Sequence, residues 1–170
     1  MGVPAPANAT WRRSCQSREG LARRRSDQPK SILSKRSPLP KAEWHFGWGP
    51  VTAHDVVLSH ELHTGEDSTL TGAAQLKADE VVAIDDHTVE FRFEQPRIDY
   101  AFLHAGRGSM YVYSKAQYDA EGLEGYDRRP AGTGPYQYKE RIPGVSVIFE
   151  RVEGDHWSGI RPDFQEFEMR

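Results

Sequence analysis

Two histidines are the clearest potential ligands for a metal ion: His60 and His63, which flank Glu61 and Leu62. Zinc proteases place two histidines four residues apart so that both rings project from one face of a helix. The spacing here is three, and no further ligand follows at a recognisable distance. We interpret both as packed or surface histidines, and we expect no metal and no other cofactor. A small metal-dependent hydrolase using this pair stays open as an alternative.

No set of side chains suited to covalent or acid–base catalysis stands out. Ser109 lies in the run Gly-Arg-Gly-Ser-Met, which lacks the glycine pattern of a nucleophile elbow. Cys15 is the only cysteine and lies in a basic segment without a structured base. Asp85 and Asp86 stand together where a hairpin turn needs its backbone amides capped. The sequence therefore predicts that the protein is not an enzyme.

The run Gly132-Thr133-Gly134-Pro135-Tyr136 is the most distinctive stretch of the chain. It is not a phosphate-binding loop, because neither a helix nor a Lys-Ser or Lys-Thr pair follows it. The two glycines permit positive φ angles or a close approach of another backbone, and Pro135 suits the first residue of a strand. The pattern predicts a tight, rigid turn that leads into a β-strand.

Helical periodicity and capping signals place the first helix. Thr52 and Asp55 are spaced as a capping box, in which each side chain binds the backbone amide of the other residue. Apolar residues then recur at helical spacing, which predicts a helix of about three turns that ends near Gly65.

Strand alternation, further caps and turn residues predict the other elements. The first is a hairpin of Ala78–Ile84 and Thr88–Gln95, followed by a helix that buries Ile98, Ala101, Phe102 and Ala105 and by a strand Met110–Tyr113. A second capping box, of Ser114 and Gln117, predicts a helix to about Gly122, and a loop Gly122–Pro130 follows. The last elements are a hairpin of Pro135–Glu140 and Val145–Arg151 and a strand within Phe164–Met169.

Charge divides the chain into two regions. Residues 1–43 hold ten Lys and Arg against three Asp and Glu, whereas residues 44–170 carry a balance of −10. Because the first region has few large aliphatic side chains, we predict that it is disordered, or an artefact of a misplaced start or a frameshift. Nucleic-acid binding by this basic arm is an alternative function. No fold or aromatic platform accompanies the arm, so a nucleic-acid partner is not expected.

Four motifs occur in one order. They are Trp44-His-Phe-Gly-Trp-Gly-Pro-Val-Thr-Ala-His-Asp-Val-Val57, Val82-Ala-Ile-Asp-Asp-His-Thr-Val-Glu-Phe91, Gly132-Thr-Gly-Pro-Tyr136, and Phe149-Glu-Arg151 with Asp155-His-Trp157. From about residue 44 to residue 170, the chain resembles the bacterial family 5 extracellular solute-binding proteins, which serve peptide- and nickel-type ABC importers.

The resemblance implies an α+β fragment of a two-lobed, type II periplasmic-binding-protein fold, with a mixed sheet and short helices. Residues 44–170 would form part of the first lobe. The implied function is noncovalent capture of a peptide, or another small solute such as a nickel chelate. The captured solute would then be delivered to an ABC permease, the only link to the membrane. The implied location is the periplasm or cell surface, although no signal peptide is visible in the sequence. On the same basis, Thr133, Gly134 and Tyr136 are the expected solute-facing residues.

Overall fold

A computed structural model of the protein describes residues 31–36, 41–106 and 111–170. A short 3-10 turn, His45–Gly47, precedes the helices. The helices are α1 (Ala53–Thr64), α2 (Ala73–Leu76), α3 (Tyr100–Gly106) and α4 (Lys115–Arg128), and the strands are β1 (Ser31–Arg36), β2 (Glu80–Asp85), β3 (Thr88–Phe93), β4 (Tyr136–Ile142), β5 (Ser146–Arg151) and β6 (Glu166–Met169). Within these ranges, none of the helices combines the length and apolar character needed to cross a membrane.

The first sheet is antiparallel and has the strand order β1-β3-β2. Its β2–β3 hairpin is the one predicted between residues 78 and 95. Strand β1 corrects the prediction that residues 1–43 lack structure. It pairs with β3 from Ser31 opposite Phe93 to Arg36 opposite Thr88. Backbone pairing along a whole strand supplies stability that the composition of this segment does not reveal. Residues 1–30 and 37–40 lie outside the described residues, so the rest of that prediction is not tested there.

The main hydrophobic core lies between this sheet and α1. Alternate residues of β3 point into it, because successive side chains of a strand face opposite sides. Tyr100 closes the core, with its ring 4.5 Å from that of Phe93 and 5.4 Å from that of Phe91. Its hydroxyl donates to the Leu76 carbonyl over 3.0 Å. The core residues are Ala53, Ala78, Val89, Phe91, Phe93 and Tyr100.

Helix α1 starts and ends as predicted. The capping box of Thr52 and Asp55 is present, and the Thr52 amide donates to Asp55 Oδ2 over 2.6 Å. The helix ends at Thr64, where the Gly65 amide returns to the Glu61 carbonyl.

The prediction that the helix here buries Ile98 and Phe102 is wrong. Ile98 is 100% exposed and Phe102 is 72% exposed, and the buried residue is Tyr100 at the helix start. The apolar spacing was right for a helix, but that face meets no neighbour within the described residues. Tyr111–Tyr113 also form no strand, contrary to the prediction for Met110–Tyr113; Met110 itself lies outside the described residues.

Helix α4 keeps half of its predicted capping box. Ser114 Oγ accepts from the Gln117 amide over 3.3 Å, as expected. The Ser114 amide, however, donates to the Tyr126 hydroxyl and not to Gln117. Gly122 adopts a φ of 65° and kinks the helix at its predicted end, but helical structure resumes and continues to Arg128. The loop predicted from Gly122 to Pro130 is therefore mostly wrong.

The second sheet is antiparallel and has the order β4-β5-β6. The predicted hairpin across Pro143 and Gly144 is present, and the last strand pairs with β5. The Phe149 and Phe167 rings stack at 4.9 Å, and the Tyr136 ring meets Phe167 edge-on at 4.8 Å. We call this side of the sheet the aromatic face; its members are Tyr136, Tyr138, Phe149, Phe167 and Met169. The fold class is a mixture of helices and antiparallel strands, as expected for an α+β fragment.

Candidate functional site

The turn before β4, residues Gly132–Gly134, is held by side chains from two distant segments. Neither glycine has a positive φ, which corrects one reason given for them from the sequence. The other reason fits Gly132, because a Cβ there would lie 3.3 Å from His45 Cε1. The close approach is thus to an imidazole rather than to a backbone.

His45 binds this turn through both ring nitrogens. Its Nδ1 accepts from the Gly132 amide over 3.2 Å, and its Nε2 lies 2.8 Å from the Gly134 carbonyl oxygen. The backbone amide of His45 also donates to the Gly132 carbonyl over 2.9 Å. The side chain is buried, and burial lowers its pKa, although the bond to Gly134 opposes this.

The Thr133 carbonyl accepts two further bonds from the segment after β5. His156 Nε2 and Trp157 Nε1 each lie 2.7 Å from this oxygen. The Thr133 hydroxyl forms no hydrogen bond within the described residues, and the side chain is only half buried. Of the three predicted site residues, Thr133 therefore offers a free polar group.

The polar groups of the other two predicted residues, Gly134 and Tyr136, are hydrogen-bonded within the protein. The Gly134 carbonyl is bound by His45. The Tyr136 hydroxyl donates to the Phe164 carbonyl over 3.1 Å, and its ring packs on Phe167. The structure brings Thr133, Gly134 and Tyr136 together at one end of β4.

Helix α1 positions His45 through a buried carboxylate. Asp55 is 3% exposed, and its Oδ2 accepts from Trp44 Nε1 over 3.3 Å. Its Oδ1 accepts from the Lys115 amide over 2.6 Å at the start of α4. A single side chain therefore joins the starts of two helices to the residue that precedes His45.

Helix α4 holds the other end of the turn. The Gln117 side chain is fully buried; its Nε2 donates to the Arg129 carbonyl over 2.8 Å, and its Oε1 accepts from the Ala131 amide over 3.1 Å. The Gly132–Gly134 turn is thus fixed at its start by α4 and along its length by His45, His156 and Trp157.

Backbone strain occurs next to this turn, at Phe46. Its φ of 62° is unusual for a bulky residue, since left-handed angles crowd the Cβ atom. The Arg129 guanidinium lies 4.5 Å from the centre of the Phe46 ring, and His45 meets the same ring edge-on at 6.0 Å. Such strained residues cluster at functional sites more often than elsewhere.

The sequence did not identify the histidines that hold the turn. His45 and His156 have no spacing typical of metal ligands or of a catalytic pair, so their residue types and positions alone do not set them apart. Their position within two of the ordered motifs was the available signal, since those motifs belong to the same ordered set as the Gly-Thr-Gly run.

His60 and His63, the pair considered above as metal ligands, are both hydrogen-bonded to the protein backbone. His60 is buried, and its Nε2 accepts from the Ala78 amide over 3.1 Å. His63 Nε2 lies 2.8 Å from the Tyr111 carbonyl oxygen. Within the residues that the structure describes, no group of three potential ligands could hold a metal ion. These bonds argue against the metal-dependent hydrolase alternative.

A shallow surface depression of about 450 Å³ lies elsewhere, on the second half of α4. Leu123, Glu124, Asp127 and Arg128 line it, so it includes none of the three predicted site residues.

Comparison with known proteins identifies the family. Residues 40–170 match the bacterial extracellular solute-binding proteins, family 5 Middle. The chain belongs to this family. The match begins close to residue 44, where the resemblance in the sequence starts, and the predicted family is confirmed.

Two relatives from Escherichia coli K12 carry names that describe binding proteins. The chain is 31% identical over 144 residues to the probable ABC transporter periplasmic-binding protein SapA. The matched region covers 75% of this chain and 26% of SapA. It is 29% identical over 126 residues to the probable D,D-dipeptide-binding periplasmic protein DdpA, with 71% and 23% of the two chains covered. The chain thus spans about a quarter of the length of these relatives.

A solved structure confirms the fold class. The solute-binding protein MoaA from A. tumefaciens R10, in complex with mannopinic acid, superposes with a TM-score of 0.67 at 24% identity. The superposition covers 84% of this chain and 30% of MoaA. The described structure is therefore part of a type II periplasmic-binding-protein fold.

Proposed function

We propose that this chain forms one wall of the solute cleft in the substrate-binding component of an ABC importer. The wall is the turn Gly132–Gly134 with the start of β4, and the solute is held without any covalent step. The observation that carries the proposal is the hydroxyl of the half-buried Thr133, on a turn whose backbone is held from three sides. A rigid wall with a free polar group is what a noncovalent site requires, because little ordering entropy is lost when solute binds.

A short peptide is the solute class that we favour. The support is the name of DdpA, a probable D,D-dipeptide-binding periplasmic protein, together with family membership. MoaA, seen with mannopinic acid, supports a wider range of small solutes in this fold. A peptide would need charged groups for its two ends and polar groups for its amides, and Thr133 is our proposed amide contact.

The remaining assignments follow from the family. We propose that the protein catalyses no reaction, that it acts in the periplasm or at the cell surface, and that it delivers its solute to an ABC permease. The support is membership of the extracellular solute-binding family and the name of SapA, an ABC transporter periplasmic-binding protein.

An NMR titration of the ¹⁵N-labelled chain tests the proposed wall. A D,D-dipeptide is added up to millimolar concentration, followed by an L,L-dipeptide and a sugar acid as alternative solutes. We expect chemical-shift changes centred on Thr133, Gly134 and Tyr136. A half-site is expected to bind weakly, since millimolar affinity already corresponds to about −4 kcal/mol.

The matched control is Thr133→Val, which keeps the shape of the side chain and removes its hydroxyl. This variant is expected to keep the fold and weaken the titration. Shift changes centred on another surface, such as the depression on α4, would refute the proposed location. Titration curves of Thr133→Val identical to those of the wild-type chain would show that the Thr133 hydroxyl does not contact the solute.

A further inference from the structure

The hydrogen-bond partners of His45 define its protonation state. A backbone amide can only donate and a carbonyl can only accept. Because Nδ1 faces the Gly132 amide at 3.2 Å, it must carry a lone pair. Because Nε2 faces the Gly134 carbonyl at 2.8 Å, it must carry the proton. Only the neutral, Nε2-protonated imidazole satisfies both contacts.

His156 is held in the same tautomer on the opposite side of the turn. Its Nε2 faces the Thr133 carbonyl at 2.7 Å and therefore carries the proton. Its Nδ1 accepts from the Ser158 amide over 3.3 Å and lies 2.7 Å from Ser158 Oγ. Two imidazoles, each with its Nε2 facing a carbonyl oxygen, thus bind three consecutive residues, Gly132, Thr133 and Gly134.

We infer that this two-histidine arrangement is a pH-sensitive latch: the turn Gly132–Gly134 is held while His45 is neutral and is released when His45 is protonated. Protonation would place a hydrogen on Nδ1, directly facing the hydrogen of the Gly132 amide. One hydrogen bond would become a contact between two donors inside the protein, which costs more than the loss of the bond alone. The inference concerns the turn itself and does not require the proposed function.

The groups around His45 offer no counter-charge. His156, on another segment, is the titratable side chain whose electrostatic effect further lowers the pKa of His45. The Arg129 guanidinium lies over the adjacent Phe46 ring and is also positive. The Asp55 carboxylate is bound to Trp44, Thr52 and Lys115. Among the described residues, neither His45 nor His156 forms an ion pair with a carboxylate.

The direction of the pH effect follows from linkage. The pKa of His45 is lower in the folded state than the ordinary value of about 6.5 in an unfolded chain. Its neutral form therefore holds the turn fully above about pH 6.5, and this stabilisation is lost as the pH falls towards the folded pKa.

Hydrogen exchange of the full chain, measured by NMR without solute, tests the latch. The protection factor of the Gly132 amide is compared at pH 8 and pH 5, after correction for the intrinsic pH dependence of exchange. We expect a loss of about tenfold or more, since a lost hydrogen bond and an opposed donor together exceed 1.4 kcal/mol. The Phe91 amide in β3 is expected to keep its protection.

Ring ¹⁵N spectra of the same sample provide an independent readout. We expect the Nε2-protonated tautomer of His45 at pH 8. An Nδ1-protonated ring at pH 8, or unchanged Gly132 protection at pH 5, would overturn the inference. Equal losses at Gly132 and Phe91 would also overturn it, because the whole fold would then be opening and not the turn.

Three variants extend the test. His45→Gln offers a donor and an acceptor that do not titrate, so Gly132 protection should become independent of pH. His156→Gln removes the neighbour whose electrostatic effect lowers the pKa of His45, and should move the midpoint of the Gly132 transition to higher pH. His54→Gln, on the exposed side of α1, should leave the transition unchanged. Should His45→Gln fail to fold, the wild-type ring spectra still decide the question. Because no solute is present, failure here leaves the proposed function untouched.

Discussion

Gly132 and Gly134 lie two residues apart in one turn, yet only Gly132 has a close neighbour. A Cβ at Gly132 would lie 3.3 Å from His45 Cε1, whereas a Cβ at Gly134 would lie 3.8 Å from the Tyr136 carbonyl oxygen. The His45 ring is bound at both nitrogens and has little freedom to move away. We therefore predict that Gly132→Ala lowers the free energy of unfolding by about 1–3 kcal/mol, as overpacking does.

The matched substitution Gly134→Ala is expected to change stability by much less. Urea denaturation of both variants, followed by tryptophan fluorescence, makes the comparison. Equal losses in the two variants would show that His45 does not press against Gly132.

At the scale of elements, the start of α1 has an effect beyond its own helix. Thr52→Ala removes the hydroxyl that donates to Asp55 over 3.2 Å, together with the Thr52 half of the capping box. We predict a loss of about 0.5–2 kcal/mol, which is typical for a lost N-cap. Chemical denaturation measures it, and a change near zero would contradict the assigned helix start.

Asp55→Asn should be more damaging than Thr52→Ala, because the carboxylate also accepts from Trp44 and from the Lys115 amide. We predict a loss of about 1–3 kcal/mol or more, since buried amide donors lose a charged acceptor. The control is Asp119→Asn; that side chain is exposed and forms a surface ion pair with Lys115, so a change of about 0–1 kcal/mol is expected. Losses of the same size in both variants would contradict the linking role of Asp55.

Strand β1 gives a second prediction at this scale. The peptide bond after Lys35 joins two paired residues of β1, with Lys35 opposite Val89 and Arg36 opposite Thr88 of β3. A strand held in a sheet must open before a protease can bind it, so we predict slow trypsin cleavage after Lys35 in native buffer. Mass spectrometry of the fragments identifies the cut sites, with a urea-unfolded sample as the control. Rapid native cleavage after Lys35 would contradict the β1–β3 pairing.

At the scale of the whole molecule, the aromatic face of the second sheet is partly open to solvent. Phe167 is 39% exposed and Met169 is 59% exposed, although both lie in a paired strand. Exposed apolar faces of this kind promote association. We predict that the chain, as given, self-associates with rising concentration, which light scattering or sedimentation measures.

Substitution on that face should reduce the association. Met169→Lys places a charge on the aromatic face without removing the stacked Phe149 and Phe167 rings. Ile98→Lys is the control, because Ile98 is fully exposed outside both sheets. Association that is unchanged by Met169→Lys, or reduced equally by Ile98→Lys, would place the contact elsewhere.

The sequence by itself determined the elements whose signals are local. Three such features depend on neighbours only a few residues away. They are the capping box of Thr52 and Asp55, the alternation of Val89, Phe91 and Phe93, and the turn at Gly144. The family was also readable from the sequence, because two of the ordered motifs contain the capping box and the strand alternation. Thr133, Gly134 and Tyr136 remain predicted site residues whose role in binding is a proposal.

Only the tertiary structure decided what those elements meet. The composition of residues 1–43 gave no sign that Ser31–Arg36 pairs with β3, since strand pairing depends on a partner more than fifty residues away. The helical spacing of Ile98 and Phe102 could not reveal that both side chains are exposed in the described part of the chain. Likewise, His45 reaches a turn that lies 87 residues further along the chain. Contacts at such separations depend on how the elements pack, because the spacing of residues along the chain carries information only about near neighbours.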